Sequence, residues 1–306
     1  ALIDAQEKLT PEISLAIANA KTLTELDDIY RPFRPHRKTR ASVAKEKGLE
    51  PLALLILEQK DSYEPSIEVE AEAYISEEKG VASAEEALAG ALDIIAESIS
   101  DDANYRKLIR EKTAAIGVLV SEKAKDEPSV YEQYYDYKEA IAKIPGHRIL
   151  AVNRGEKEDF LKVSVSADRD TILGLVYSQL ITNQKSPAKE LLINACTDSY
   201  DRLIAPSIER EIRNTLTDNA GEDAIKLFSV NLKNLLMQAP LKGKTVLGYD
   251  PGYRTGCKLG VVDKTGKVLK TAVIYPTKPQ ERIAESSRIV KKLISDYKID
   301  VVAIGN

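Results

Sequence analysis

Asp250 is the residue most readily tied to chemistry. It stands in Val246-Leu247-Gly248-Tyr249-Asp250-Pro251-Gly252-Tyr253-Arg254-Thr255-Gly256, an apolar run that ends on an acid and a glycine-rich turn. A carboxylate at a strand's end can hold a divalent cation against a phosphate, but two-metal phosphodiester hydrolysis needs a second carboxylate nearby to bring both ions together. The position expected to face Asp250 is Asn306, a neutral amide. Asp-Pro-Gly is also a strong turn sequence in its own right, in which the carboxylate accepts backbone amides. Asp250 is therefore a vestigial candidate, with no catalytic set, no metal ligands and no cofactor expected around it.

Facing Asp250 with residue 306 requires a particular order of elements. After the strand ending at Asp250, the pattern predicts a strand over Cys257–Val262, a turn at Asp263-Lys264-Thr265-Gly266, a strand over 268–275, a helix over 279–297 and an apolar strand over 299–304. If the first three strands form an antiparallel meander and the helix crosses back over them, the fourth must lie parallel to the first. Residues 250 and 306 then end neighbouring strands, as in a ribonuclease-H-like α/β fold. The last strand should be the buried centre of a sheet, yet the sequence stops there. Residue 1 is Ala and the single Met is Met237, so the chain reads as a piece of a longer protein with this domain incomplete at its C-terminus.

Across 306 residues, enough for about two domains, charged residues make up 30% and the net charge is −4. No global basic field advertises nucleic-acid binding, so any such binding has to be local. The best local candidate is Arg31-Pro32-Phe33-Arg34-Pro35-His36-Arg37-Lys38-Thr39-Arg40, where Arg31, Arg34, Arg37, Lys38 and Arg40 crowd ten residues and two prolines oppose a regular helix. Long cationic side chains on an irregular loop can reach phosphates. Equally, they can pair with nearby acids such as Asp27, Asp28, Glu46 and Glu50 and tie the loop to its neighbours. Both readings stand at this point.

Residues 1–240 read as overwhelmingly helical. Thr22 with Glu25, Ser83 with Glu86 and Ser129 with Glu132 have capping-box spacing. Thr10-Pro11 and Ser186-Pro187 have the form of a cap followed by an N1 proline. Leu88, Leu92, Ile95 and Ile99 form one helical stripe after Ser83, and further helices are predicted over 103–119, 169–182, 187–204, 206–218 and 222–238. The exception is 149–165, where Ile149-Leu150-Ala151-Val152 and the alternating Phe160-Leu161-Lys162-Val163-Ser164-Val165 flank a charged turn and predict an inserted β-ribbon. Pro240 and Gly243 mark a boundary between a domain over 1–240 and one over 241–306.

Other groups have ordinary explanations. Tyr131, Tyr134 and Tyr135 share one helical face, which suits core packing better than a base-stacking platform that would also include Tyr137. His36 and His147 lack ligands at zinc spacing. Gly252 and Gly256 fall short of a dinucleotide fingerprint, because a strand follows where that motif needs a helix. Two cysteines, Cys196 and Cys257, form no disulfide framework and read as small buried residues. No apolar run approaches the ~20 residues of a membrane span, so the expected location is the cytoplasm.

The residues then carry a resemblance. Leu26-Asp27-Asp28-Ile29-Tyr30-Arg31-Pro32-Phe33-Arg34-Pro35, Ala44-Lys45-Glu46-Lys47-Gly48-Leu49-Glu50-Pro51-Leu52-Ala53 and Ile144-Pro145-Gly146-His147-Arg148-Ile149-Leu150-Ala151-Val152-Asn153-Arg154-Gly155-Glu156 resemble the helical N-terminal region of the Tex family of bacterial transcription accessory proteins. Residues 246–258 resemble that family's YqgF, or RuvC-like, ribonuclease-H-type domain. The resemblance covers essentially the whole chain. It implies a complete protein that also carries helix-hairpin-helix modules and an OB-fold RNA-binding domain, and that binds RNA or DNA with little sequence preference. It also implies that Asp250 occupies the first catalytic position of RuvC-like resolvases while Asn306 takes the second, which argues against nuclease chemistry. The expected whole is a mainly α domain with an inserted β-ribbon, followed by a truncated α/β domain, serving as a non-catalytic scaffold that binds nucleic acid. The alternatives are a metal-dependent structure-selective nuclease of RuvC-like type and a protein-interaction platform for the transcription machinery.

Overall fold

Helix follows helix through the first third of the chain because capping residues and apolar stripes recur at helical spacing. The computed structural model describes residues 2–34, 38–239, 241–252 and 254–305. Contacts divide the chain into two units, residues 1–228 and 229–306.

In the first unit, α1 (Pro11–Asn19) starts on Thr10, whose Oγ1 accepts from the Ile13 amide, with Pro11 at N1. Helix α2 (Leu23–Tyr30) starts on Thr22, which accepts from the Glu25 amide at 3.1 Å, while the Glu25 carboxylate reaches back to the Lys21 amide. Four helices follow: α3 (Arg40–Glu46), α4 (Glu50–Leu57), α5 (Ile67–Glu72) and α6 (Ala84–Asp101). Ser83 caps α6 through the Glu86 amide as its spacing predicts, and Glu86 accepts from the Ala82 amide. Helix α7 (Ala103–Ile116) is capped by Asp102, which accepts from the amides of Asn104 and Tyr105.

The β-ribbon expectation is half right. Its second run forms a strand, but 149–152 lie within a helix. The strands are β1 (Val118–Lys123), β2 (Asp136–Ala140) and, after helix α8 (Gly146–Lys157), β3 (Leu161–Ser166). They form an antiparallel sheet in the order β2-β1-β3. A four-residue apolar run fits a strand or a buried helical turn equally well. The longer period decides it: α8 buries Ile149, Val152 and Gly155, three residues apart. At Gly155 a Cβ would lie 2.5 Å from Leu161 Cδ1, so only glycine lets α8 approach β3. The aromatic residues differ in the same way. Tyr131 and Tyr134 are buried as expected, but beside and within a single 3-10 turn over Glu132–Tyr134, while Tyr137 lies in β2. Ser129 caps no α-helix; its Oγ accepts from the Tyr131 amide.

Helices α9 (Arg169–Leu180), α10 (Lys189–Asp198) and α11 (Ala205–Leu236) complete the helical part, with π-helical turns over Ser199–Ile204. Helix α10 begins two residues after the expected Ser186-Pro187 start. The two helices predicted over 206–218 and 222–238 are one, because Gly221 is tolerated mid-helix. Cys196 is buried and unbonded, its thiol pushed up to about 12 by burial.

A four-charge cluster joins α2, α7 and α11. Arg106, 1% exposed, donates from Nε to Asp28 Oδ1 at 2.7 Å and from Nη2 to Glu211 Oε1 at 2.5 Å and Ser207 Oγ at 3.0 Å. Arg110 donates to the other oxygens, at 2.7 Å to Asp28 Oδ2 and 2.8 Å to Glu211 Oε2. Among the described residues, Arg106 Nη1 is the one buried side-chain nitrogen or oxygen without a hydrogen-bond partner.

The second unit has the predicted topology. Strands β4 (Val246–Asp250), β5 (Cys257–Val262) and β6 (Val268–Ile274) form the antiparallel meander. Helix α12 (Ile283–Tyr297) then leads to β7 (Val301–Ile304), parallel to β4, in the sheet order β6-β5-β4-β7. Leu247, Leu259, Val261, Ile274 and Leu293 make its core, each fully buried aliphatic stabilising it by about 1.5–3 kcal/mol. This strand order, with β7 returning parallel to β4, is that of a ribonuclease-H-like fold.

Candidate nucleic-acid interface

Two places bear on function: the cationic segment after α2 and the sheet end at Asp250. In the first, Arg31 begins a 3-10 turn over Arg31–Phe33 and donates from Nε to Asp101 Oδ1 at 2.9 Å. Arg34 pairs with Asp27, and its guanidinium lies 5.9 Å from the centre of the Tyr30 ring. Lys38 is exposed and reaches Glu46 at 3.9 Å. Arg40 opens α3 on an exposed face, and among the described residues it makes no ion pair within 4 Å. Arg37 lies outside the described residues. Of the acids expected to hold this segment, Asp27 and Glu46 do so. Asp28 instead serves Arg106 and Arg110, Glu50 meets Lys45 at 4.0 Å, and the partner of Arg31 is Asp101 on α6.

These pairs do not remove the cations from consideration. Exposed ion pairs contribute only about 0–1 kcal/mol each, which a phosphate partner readily replaces. Lys38, Arg40 and Lys47 share a shallow trough with Glu86 and Asp93. Asp93 is pushed up by burial against the opposing pull of Arg202 and Arg40.

At the second place, β4 ends on Asp250 and its parallel neighbour β7 is followed by Gly305, whose amide donates to the Tyr249 carbonyl at 2.8 Å. The two strand ends are therefore locked side by side, as the sequence predicts, although Asn306 lies outside the described residues. Asp250 is exposed and in register with Lys258 on β5. Gly260, Gly248 and Ala303 form a row of small residues across three strands beside them. Tyr249 keeps its proton: a hydrogen bond with Cys257, with burial, pushes it up to about 12.

Among the described residues the Asp250 carboxylate accepts no hydrogen bond, and Tyr253, which closes the expected turn, lies outside them. The turn depends on glycine. Gly256 has φ +84, and a Cβ there would lie 2.6 Å from Tyr275 Cε1. At Gly252 it would lie 2.4 Å from the Gly256 carbonyl oxygen. Two-metal chemistry requires several carboxylates on one pair of ions, and among the described residues no three His, Cys, Asp or Glu are grouped to hold a metal. The residues around Asp250 do not fit such a centre.

A whole-chain charge of −4 conceals a further feature. Residues 229–306 carry 14 Lys and Arg against 6 Asp and Glu, a net of +8, while residues 1–228 carry a net of −12. Counting charge by segment exposes what the average hides. Among the described residues, no helix is long and apolar enough to cross a membrane.

Residues 62–228 match the family model described as Tex central region-like, and residues 244–306 match the Tex protein YqgF-like domain. Over the whole chain, identity is 50% to protein YdcI of Bacillus subtilis, of which the chain spans 43%. Over 99% of the chain it is 34% to transcriptional accessory protein Tex of Neisseria gonorrhoeae, of which the chain spans 40%. It is 31% to S1 RNA-binding domain-containing protein 1 of Homo sapiens, of which the chain spans 32%. The chain thus spans two-fifths or less of the length of most of these relatives. With a helical region and a ribonuclease-H-like strand order each matched by its own model, the chain belongs to the Tex family.

Proposed function

We propose that this chain is the nucleic-acid-binding scaffold part of a cytoplasmic transcription accessory factor, with little sequence preference and no hydrolytic activity. The observation that carries the reading is the isolation of Asp250. Its strand end is built as a nuclease's would be, but the neighbouring strand is followed in the sequence by Gly305 and Asn306, neither of them an acid. A fold that keeps the geometry for approaching a phosphodiester while lacking the charge to cleave it suits binding rather than turnover. RNA or DNA is the partner class favoured by the printed names of the relatives, one a transcriptional accessory protein and another an S1 RNA-binding domain protein. Arg31, Arg34, Arg37, Lys38 and Arg40 are candidate contacts; the exposed pairs of Arg34 with Asp27 and of Lys38 with Glu46 are weak enough to be exchanged for phosphates.

The test is an anisotropy titration of the 306-residue chain with several unrelated 20-nucleotide RNAs and DNAs at 50 and 200 mM salt. Branched and single-stranded substrates are incubated in parallel with magnesium or manganese. Similar affinities across sequences, a steep salt dependence and intact substrates are expected. Strong preference for one sequence, or metal-dependent cleavage that disappears in Asp250→Asn, would refute the reading.

A further inference from the structure

The net +8 of residues 229–306 raises the question of where those charges go. Among the described residues of this unit only one ion pair forms, Arg282 with Glu285 at 3.7 Å. Its other acids are committed elsewhere or lie out of reach. Asp263 accepts from the Thr265 hydroxyl and from the amides of Thr265 and Lys267, and Asp300 accepts from the Thr245 amide. The cations of α12 are left unpaired.

Their placement is not scattered. Helix α12 buries Ser286 and Leu293 toward its sheet and packs Ile289, Val290 and Tyr297 beside them. The opposite face presents Ala284, Arg288, Lys291, Lys292 and Ser295, all exposed. Arg288, Lys291 and Lys292 stand at i, i+3 and i+4, so they are neighbours on the helix surface, and Lys298 follows just past its end. Three like charges this close repel one another; Glu285, paired with Arg282, and Asp296 are exposed on the same helix, but among the described residues neither comes within 4 Å of Arg288, Lys291 or Lys292. The helix macrodipole explains only cations in the last turn, and Arg288 lies nine residues before Tyr297. Small side chains at Ala284, Ser287 and Ser295 leave room for a ligand's backbone to lie close along the row.

We propose that the outward face of α12, centred on Arg288, Lys291 and Lys292, is a docking surface for the sugar-phosphate backbone of a nucleic acid. The inference rests on the nucleic-acid-binding reading and adds a second contact surface, separate from residues 31–40. A linear polyanion with evenly spaced permanent charges matches a linear row of unpaired cations, and contacts of this kind carry no sequence information.

The experiment compares the full chain with three triple variants in salt titrations against a labelled mixed-sequence 20-nucleotide RNA and the matching single-stranded and duplex DNA. The variants are Arg288→Gln/Lys291→Gln/Lys292→Gln, the equal-charge control Lys264→Gln/Lys267→Gln/Lys270→Gln, and Arg31→Gln/Arg34→Gln/Arg40→Gln. Loss of three phosphate contacts should flatten the slope of log K against log salt by about 2 for a single strand and lower affinity on the order of 100-fold at 0.1 M salt. The charge-preserving variant Arg288→Lys/Lys291→Arg/Lys292→Arg should retain binding, which separates charge from folding. Unchanged binding in the α12 variant, or equal loss in the Lys264 control, overturns this inference and leaves nucleic-acid binding intact. Absence of binding by the unaltered chain overturns both. Retention of poly-glutamate without retention of either nucleic acid overturns the inference in favour of an acidic protein partner.

Discussion

Asp27 and Asp28 are adjacent acids with very different surroundings, and replacing each by Asn should separate them by several kcal/mol. Asp27 is exposed and pairs with the half-buried Arg34, a type of contact that contributes about 0–1 kcal/mol. Asp28 is 5% exposed and receives two charge-assisted bonds of 2.7 Å, from Arg106 and Arg110. Asn at 28 removes the charge and puts an amide where both guanidiniums need acceptors. Arg106, 1% exposed, would then depend on Glu211 and Ser207 alone. Breaking one partner of a buried pair costs about 3–5 kcal/mol because the other charge stays buried. With a urea m-value of about 3 kcal/mol/M, Asp28→Asn should lower the unfolding midpoint by about 1–1.7 M, and Asp27→Asn by no more than about 0.3 M. Far-UV circular dichroism reports the transition, since α2, α7 and α11 are all helical. The Asp28→Asn/Glu211→Gln double variant should lose less than the sum of the single changes, because both acids serve the same two arginines. Equal midpoints for the Asp27 and Asp28 variants, or strict additivity in the cycle, would refute this account.

Three further outcomes are expected. Gly256→Ala places a Cβ at φ +84 against Tyr275 and Val273, so it should destabilise residues 229–306 by about 2–4 kcal/mol, read as an early shift of that unit's amide signals in a urea series; a loss below 1 kcal/mol would contradict the packing. Asp250→Asn should change the denaturation midpoint by the equivalent of no more than about 0.5 kcal/mol, as for an exposed group with no hydrogen bond among the described residues, and a multi-kcal/mol loss would reveal a buried role. Arg169 donates to Asp201 at 2.9 and 2.7 Å and holds its carboxyl below the usual range. Because the folded value lies below the unfolded one, that stabilisation is present above about pH 4 and is lost as pH falls through the folded value. Asp201 is about half exposed, so the effect is under about 1 kcal/mol; Asp201→Asn should flatten the acid limb of stability by that amount, and an unchanged limb would remove the pair from the account.

Local signals were legible where the chemistry is local. Thr10, Thr22 and Ser83 announce helix starts because a hydroxyl can satisfy an amide three residues away whatever else the chain does. The β4 to β7 order is equally legible, because a helix between a meander and one further strand leaves a parallel return as the economical connection. The buried cysteines and the burial of Tyr131 and Tyr134 follow from composition and context. Tertiary contacts decided what short runs could not. Ile149 to Val152 became a helix because Gly155 let it close on Leu161, and the polar β2 became a strand because β1 supplied its partner. Asp28 and Asp27 are interchangeable in sequence; only the meeting of α2, α7 and α11 buries one and leaves the other in water. The cations divide on the same ground: Arg31 found Asp101 seventy residues away, whereas Arg288, Lys291 and Lys292 found no carboxylate, and pairing across such separations depends on where the backbone brings the side chains, which neighbouring residues do not encode.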